Sequence, residues 1–198
     1  YYPSYPNNSI VYQKSTNGGG HFGPITTLTC PEDDGCGSPL TISSSGNNVH
    51  IVGQGSEQNQ ENGSWSGWST YYFKSTDSGS NFNSPVSLDL SGVPHGNGIT
   101  TSGNNVIIGL TDSSDWNGIE IILSKNSGSS FESKIEINTS CQVHPKLTAF
   151  DNIVYLLWNS CDDSAYYSKS LDGGLTFNTV HEILDGVNQN DYSLAASG

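Results

Sequence analysis

Ser75-Thr76-Asp77-Ser78-Gly79-Ser80-Asn81-Phe82 decides the reading of this chain, because its spacing recurs. Ser-x-Asp/Asn-x-Gly-x-x-Phe is found again at Ser15-Asn17-Gly19-Phe22, Ser124-Asn126-Gly128-Phe131 and Ser170-Asp172-Gly174-Phe177. The boxes start 60, 49 and 46 residues apart, the first interval being stretched by an insertion around Ser56 to Gly67. One match would be noise in a chain rich in Ser and Gly; four in register define an internal repeat. Each residue type has a mechanical role. The Asx side chain caps a turn by accepting backbone N–H bonds, the glycine supplies a positive φ, and the Phe plugs between layers.

Working outward, an apolar strand precedes each box, at Ile10–Tyr12, Tyr71–Phe73, Ile119–Leu123 and Tyr166–Tyr167. Another follows, at Ile25–Leu28, Val86–Leu90, Ile135–Ile137 and Val180–Leu184, so each box is a hairpin turn. Upstream of three boxes lies a second repeated segment. Ser-Gly-Asn-Asn-Val-His-Ile-Val (45–52) matches Ser-Gly-Asn-Asn-Val-Ile-Ile-Gly (102–109), with Phe-Asp-Asn-Ile-Val-Tyr-Leu-Leu (150–157) as a looser copy. Its turn joins a short strand centred on Ile42, Ile99 or Leu147 to an almost wholly apolar one, buried on both faces. The unit is four antiparallel strands, A-B-C-D, over about 45 residues, the size of a propeller blade.

The boxes resemble the Asp-box (BNR) repeat of sialidase-like β-propellers, and the likeness covers nearly the whole chain. With Ser-Gly-Asn-Asn-Val ahead of the box, the unit looks most like that of uncharacterised archaeal surface repeat proteins. The resemblance implies an all-β propeller of about four blades whose Asp boxes are structural turns at the rim, away from the ligand face. One domain over 1–198 is expected: a partial blade 1–36, blades 37–92, 93–140 and 141–186, and a partial blade 187–198. The first unit has strands C and D only, and Ser-Leu-Ala-Ala-Ser-Gly (193–198) reads as a bare strand A. A distorted four-bladed ring, a segment of a longer propeller, and a subunit whose open edges pair with the next copy into a filament all remain open. A start at Tyr1 reads as a processed product or a piece of something longer.

Composition narrows the function. Six lysines, no arginine and 19 acids give a net charge of −13, which excludes binding to a phosphate backbone. No apolar run approaches the roughly 20 residues of a membrane span. The four cysteines, in no CxxC spacing, are expected as disulfides Cys30–Cys36 and Cys141–Cys161. With sequons at Asn7, Asn62 and Asn138 they point to a secreted or cell-surface glycoprotein.

In this topology the D–A and B–C loops share one face. It gathers Glu32, Asp33, Asp34, Asp112, Asp115, Asp162 and Asp163, together with Gln142, His95, His144, Trp65, Trp68 and Trp116. Sialidases clamp their substrate carboxylate with an arginine triad, which this chain lacks and lysine does not replace. A two-carboxylate glycosidase needs no arginine, and tryptophans stack on sugars, so a carbohydrate-binding or glycosidase-like face is the alternative reading. Calcium would suit Glu32-Asp33-Asp34 or Asp162-Asp163, although no EF-hand loop is present. His95 and His144, taken as matching positions before strand A, would suit a transition metal. The reading preferred is a non-catalytic surface module for assembly or adhesion, self-associating or meeting other surface proteins or glycans, with its Tyr-rich start (Tyr1, Tyr2, Tyr5) as a docking arm.

Overall fold

Short β-rich runs punctuated by Gly-Asn and Ser-Gly turns build only hairpins, and the architecture follows from stacking them. The computed structural model describes residues 9–30, 34–58, 65–88, 98–111, 118–139, 143–161 and 164–184, leaving out the side chains of 34–39, 56–58, 65–68, 133–134 and 184. The described residues contain no helix. Blade 1 holds β1 (Ser9–Tyr12) and β2 (Thr26–Thr29). Blade 2 holds β3 (Asp34–Ser45), β4 (Asn48–Gln58), β5 (Trp65–Ser75) and β6 (Val86–Ser87). Blade 3 holds β7 (Gly98–Ser102), β8 (Asn105–Thr111), β9 (Gly118–Ser124) and β10 (Ser133–Asn138). Blade 4 holds β11 (Lys146–Phe150), β12 (Ile153–Asn159), β13 (Ala165–Ser170) and β14 (His181–Leu184). Each sheet is an antiparallel meander in chain order, so the fold is a β-propeller that shows, among the described residues, three four-stranded blades and a two-stranded one.

The core lies between blades rather than within them. Ile10, Leu28, Val49, Ile51, Tyr71 and Phe73 join blades 1 and 2. Val52, Tyr72, Ile99, Val106, Ile108, Leu110 and Ile122 join blades 2 and 3. Ile107, Ile121, Leu123, Val154, Leu156 and Trp158 join blades 3 and 4. Strands β4 and β8 face a core on both sides, which is why they are apolar without alternation. Strand β12 instead turns Val154, Leu156 and Trp158 to the blade 3 joint and leaves Ile153 and Tyr155 half-buried on its other side, which corrects the expectation of burial on both faces there. The innermost strands β3 and β7 are also tied by hydroxyls: Ser43 Oγ and Thr101 Oγ1 lie 3.1 Å apart, and Ser45 Oγ donates to Gly103 O.

All four boxes build one turn. Ser75 Oγ donates to Asp77 Oδ1 and accepts the Gly79 N–H, each at 2.8 Å. Asp77 Oδ1 also accepts the N–H of Ser80 and of Asn81. Ser124 with Asn126, and Ser170 with Asp172, repeat these bonds, and Ser15 with Asn17 keeps most of them. Two successive residues take positive φ, as in Ser78 (58°) and Gly79 (74°), so the residue before the glycine shares the strain. The second repeated turn clips onto the box of its own blade: Ser78 N–H donates to Asn47 O, Ser127 N–H to Asn104 O and Gly173 N–H to Asn152 O.

The box is also a socket for the preceding blade. A Cβ on Gly79 would run into the Tyr12 hydroxyl, and one on Gly128 into the Tyr72 hydroxyl. Phe82 meets the Tyr12 ring edge-on at 5.0 Å between centroids, and Phe131 meets Tyr72 at 4.9 Å. Lys14 donates to Ser80 Oγ and Lys74 to Ser129 Oγ across the same two joints. Blade 3 carries Ile121 and Leu123 where those Tyr and Lys stand, so the third joint is apolar, with Phe177 packed on it.

Two expectations are corrected. Phe22 does not plug a layer but is 53% exposed, because no described blade precedes the first box. The stretch from Ser56 to Gly67 is not simply a loop insertion: β4 and β5 extend into it, pairing Ser56 with Trp68 and Gln58 with Trp65. Trp65 and Trp68 therefore stand on a strand, as does Asp34 at the start of β3, rather than in face loops.

The socket makes a sharp distinction between glycines of similar φ. Gly103 has φ +57° and open space around it, so Gly103→Ala is expected to cost only the left-handed strain, about 1–2 kcal/mol. Gly128→Ala adds the collision with Tyr72 and is expected to cost more, with Tyr72→Phe recovering part of the difference. Urea unfolding of the single and double variants measures it; equal losses for Gly103→Ala and Gly128→Ala would contradict the socket.

Candidate functional site

Strand ends position the site. Every complete blade carries a buried polar residue at one repeat position of strand B, Gln54, Thr111 and Asn159, exposed by 4%, 2% and 5%; Thr111 and Asn159 end their strands, while β4 runs on past Gln54 to Gln58. Their partners across the ladder are Thr70, Ile119 and Ala165. The apolar core thus gives way to hydrogen-bonding groups towards the B–C end of the strands. At the joint of blades 3 and 4 the Thr111 hydroxyl donates to Val143 O. At the joint of blades 2 and 3, Gln54 Nε2 and Thr70 Oγ1 find no hydrogen-bond partner among the described residues. Glu120, 2% exposed, lies two residues from Ile122 on the side of β9 that packs towards blade 2. None of these was singled out from the sequence, although a polar residue recurring after an apolar run was the available signal.

Most of the expected face residues, namely Glu32, Asp33, His95, Asp112, Asp115, Trp116, Gln142, Asp162 and Asp163, lie outside the described residues, as do Asn7 and Asn62. The side chains of Asp34, Trp65 and Trp68 are likewise outside. His144 is partly buried just ahead of β11. Among the described residues no three His, Cys, Asp or Glu gather to hold a metal. Cys30 and Cys161 are disulfide-bonded; their partners' side chains lie outside the described set. Asn138 is exposed at the end of β10.

The box face carries its own features. A cleft of about 360 Å³ opens between the first two boxes, lined by Tyr12, Lys14, Asn17, His21, Gly79 and Ser80. Its lysine is engaged by Ser78 O and Ser80 Oγ. The Asn81 side-chain amide, the Asn81 N–H and the Ser75 hydroxyl hold the Asp77 carboxyl far below the usual carboxylate range. For Asp172, burial pulls upward, but bonds from Thr176, Ser170 and Leu175 win and set it at about 2. Deeper, His50 Nδ1 lies 2.6 Å from the Tyr72 hydroxyl. Burial, and then the Lys74 charge, lower His50 to about 4, while burial raises Tyr72.

Comparison with solved structures places this geometry among propellers. The chain is similar to a Trypanosoma rangeli sialidase in complex with the inhibitor DANA (TM-score 0.63, 15% identity), over 90% of this chain and 34% of that one. It is similar to the NanB sialidase from Streptococcus pneumoniae (0.64, 10%), over 88% of this chain and 46% of that one. It is also similar to an Aleuria aurantia lectin mutant in complex with alpha-methyl-L-fucoside (0.57, 17%), over 81% of this chain and 50% of that one. The fold is thus that of the sialidase-like β-propellers, and the chain spans between a third and a half of these relatives. No family model and no curated protein matches it.

The two kinds of titrating group act in separate pH windows. His50, lowered when folded, contributes stability above its unfolded pKa near 6.5 that is lost as pH falls towards 4. The box aspartates contribute above their unfolded value near 3.8, and that contribution is lost as pH falls towards 2. Melting temperature is expected to drop in both windows. His50→Gln should flatten the first step only, and Asp77→Asn with Asp172→Asn the second only. A wild-type profile flat from pH 7 to 4.5 would contradict the role given to His50.

Proposed function

We propose that the protein is a non-catalytic extracellular glycan-binding propeller module, serving adhesion or surface assembly. The observation that carries this is the set of buried polar residues Gln54, Thr70, Thr111 and Asn159 towards the B–C end of the blades, in a fold shared with sialidases and with a lectin in complex with a fucoside. The complete lack of arginine argues against a sialidase-type carboxylate clamp in this chain. Disulfides Cys30–Cys36 and Cys141–Cys161, and glycans at Asn7, Asn62 and the exposed Asn138, fit a secreted or cell-surface setting. Calcium at Glu32–Asp34 or Asp162–Asp163 is a further part of the proposal, testable by chelation. Self-association would use the blade 1 side, where Val11, Leu40 and Ile42 line an exposed apolar groove.

A glycan array paired with an aryl-glycoside panel tests the reading. Saturable binding to a subset of glycans without turnover is the expected result. Turnover that is lost in Asp112→Asn or Asp162→Asn would overturn the non-catalytic assignment, and an array with no binding would overturn the glycan assignment.

A further inference from the structure

A tyrosine three positions and a lysine one position ahead of the box serine form the half of a joint that one blade presents to the next. Tyr12 with Lys14, and Tyr72 with Lys74, are each seated on the following box. Blade 3 has Ile121 and Leu123 instead, and the box it meets has Leu175 where Ser80 and Ser129 stand, so the two halves change together. Blade 4 returns to Tyr167 and Lys169, and no described blade follows it. The register puts them on the face turned away from blade 3: Tyr167 pairs with Leu157 and Lys169 with Tyr155, as Tyr72 pairs with Val52 and Lys74 with His50. Both are half-buried, the Tyr167 ring against His181 and Lys169 Nζ 5.4 Å from the centre of the Tyr155 ring. The other end of the stack carries the other half of a joint. Among the described residues nothing lies within 4 Å of a Cβ built on Gly19, and Phe22 is exposed where Phe82 and Phe131 flank tyrosine rings.

We propose that blade 4 of one copy seats on the first Asp box of a second copy, Tyr167 entering the Gly19 socket beside Phe22 and Lys169 donating to the Gly18 carbonyl. The internal joints are the template: Tyr12 and Tyr72 fill the Gly79 and Gly128 sockets, and Lys14 donates to the carbonyl of Ser78, the counterpart of Gly18. Gly20 stands where Ser80 and Ser129 offer hydroxyls, so that carbonyl is the acceptor left for the lysine, and this joint is weaker than the internal ones. The occupant is a second copy because one chain holds the two halves at opposite ends of its stack, with the socket open. A contact between unlike faces is heterologous, so every copy added leaves a fresh socket and a fresh Tyr–Lys face, and assembly does not stop at a dimer. The net charge of −13 opposes association, so single copies prevail in dilute, low-salt solution, and salt and concentration bring them together. The inference rests on the self-association reading and gives it its two faces.

The test mixes defective copies of the full chain and follows their mass by sedimentation velocity in about 0.5 M NaCl, which screens the net charge. Gly19→Asn fills the socket with a residue that tolerates positive φ. Tyr167→Ala removes the tyrosine from the opposite face, and Lys169→Ala is a second variant of that face. The wild type is expected to grow past the dimer as its concentration rises, and each variant alone to associate about tenfold more weakly or worse. An equimolar mixture of Gly19→Asn and Tyr167→Ala should assemble again but stop at a dimer, because only one intact socket and one intact tyrosine face remain. Variants that associate as the wild type does, or a mixture that yields no dimer, would overturn this joint while the self-association reading stands. A wild type that stays monomeric throughout would overturn the joint and that reading together; a larger melting loss in Gly19→Asn than in Gly103→Asn would then assign the socket to the chain's own blade 4.

Discussion

The serine–carboxamide or serine–carboxylate turn of the Asp box is the constraint on which the rest depends. Its bonds hold two successive residues at positive φ, a conformation that costs about 1–2 kcal/mol per non-glycine residue. What the strain provides is a surface of bare backbone at each box glycine, against which the neighbouring blade closes. Tyr12 and Tyr72 reach that surface with their hydroxyls, and Phe82 and Phe131 flank their rings. Without the turn, β-hairpins of this composition would have little reason to stack in register, since each sheet is only two to four strands wide.

The joints are built on one plan but with different chemistry. The first two use tyrosine and lysine, and the third uses isoleucine and leucine with a larger apolar cluster. A joint that relies on polar contacts near the box face leaves less apolar packing to seal the opposite end. The joint of blades 2 and 3 combines the His50–Tyr72 pair at one end with Gln54 and Thr70 at the other. The acid sensitivity expected of this joint follows from that polar character.

Much of this was legible in the residues. Box spacing and the Gly-Asn-Asn turns mark hairpins because few side chains accept those backbone conformations, and the apolar strands between them leave stacking as the only outlet. Two classes of feature were not legible. One is contact across a joint: nothing local to Tyr12 announces that its hydroxyl meets Gly79, some 67 residues later in the numbering. The other is strand length in blade 2, where polar residues around Ser56 and Gly67 read as a loop but continue the ladder. Gln54, Thr111 and Asn159 were overlooked because a polar residue after an apolar run looks like the start of a loop, and only burial, with the continued pairing of β4 at Gln54, separates the two.

Amide hydrogen exchange on the native protein tests the central claim most directly. If the boxes are sockets closed by the preceding blade, the amides of Gly79, Gly128 and Gly174 exchange as slowly as those of the core strands, while that of Gly19, whose box has no described blade before it, exchanges faster. Exchange of Gly79, Gly128 and Gly174 at the rate of open loops, or no difference between Gly19 and the other three, would contradict the account.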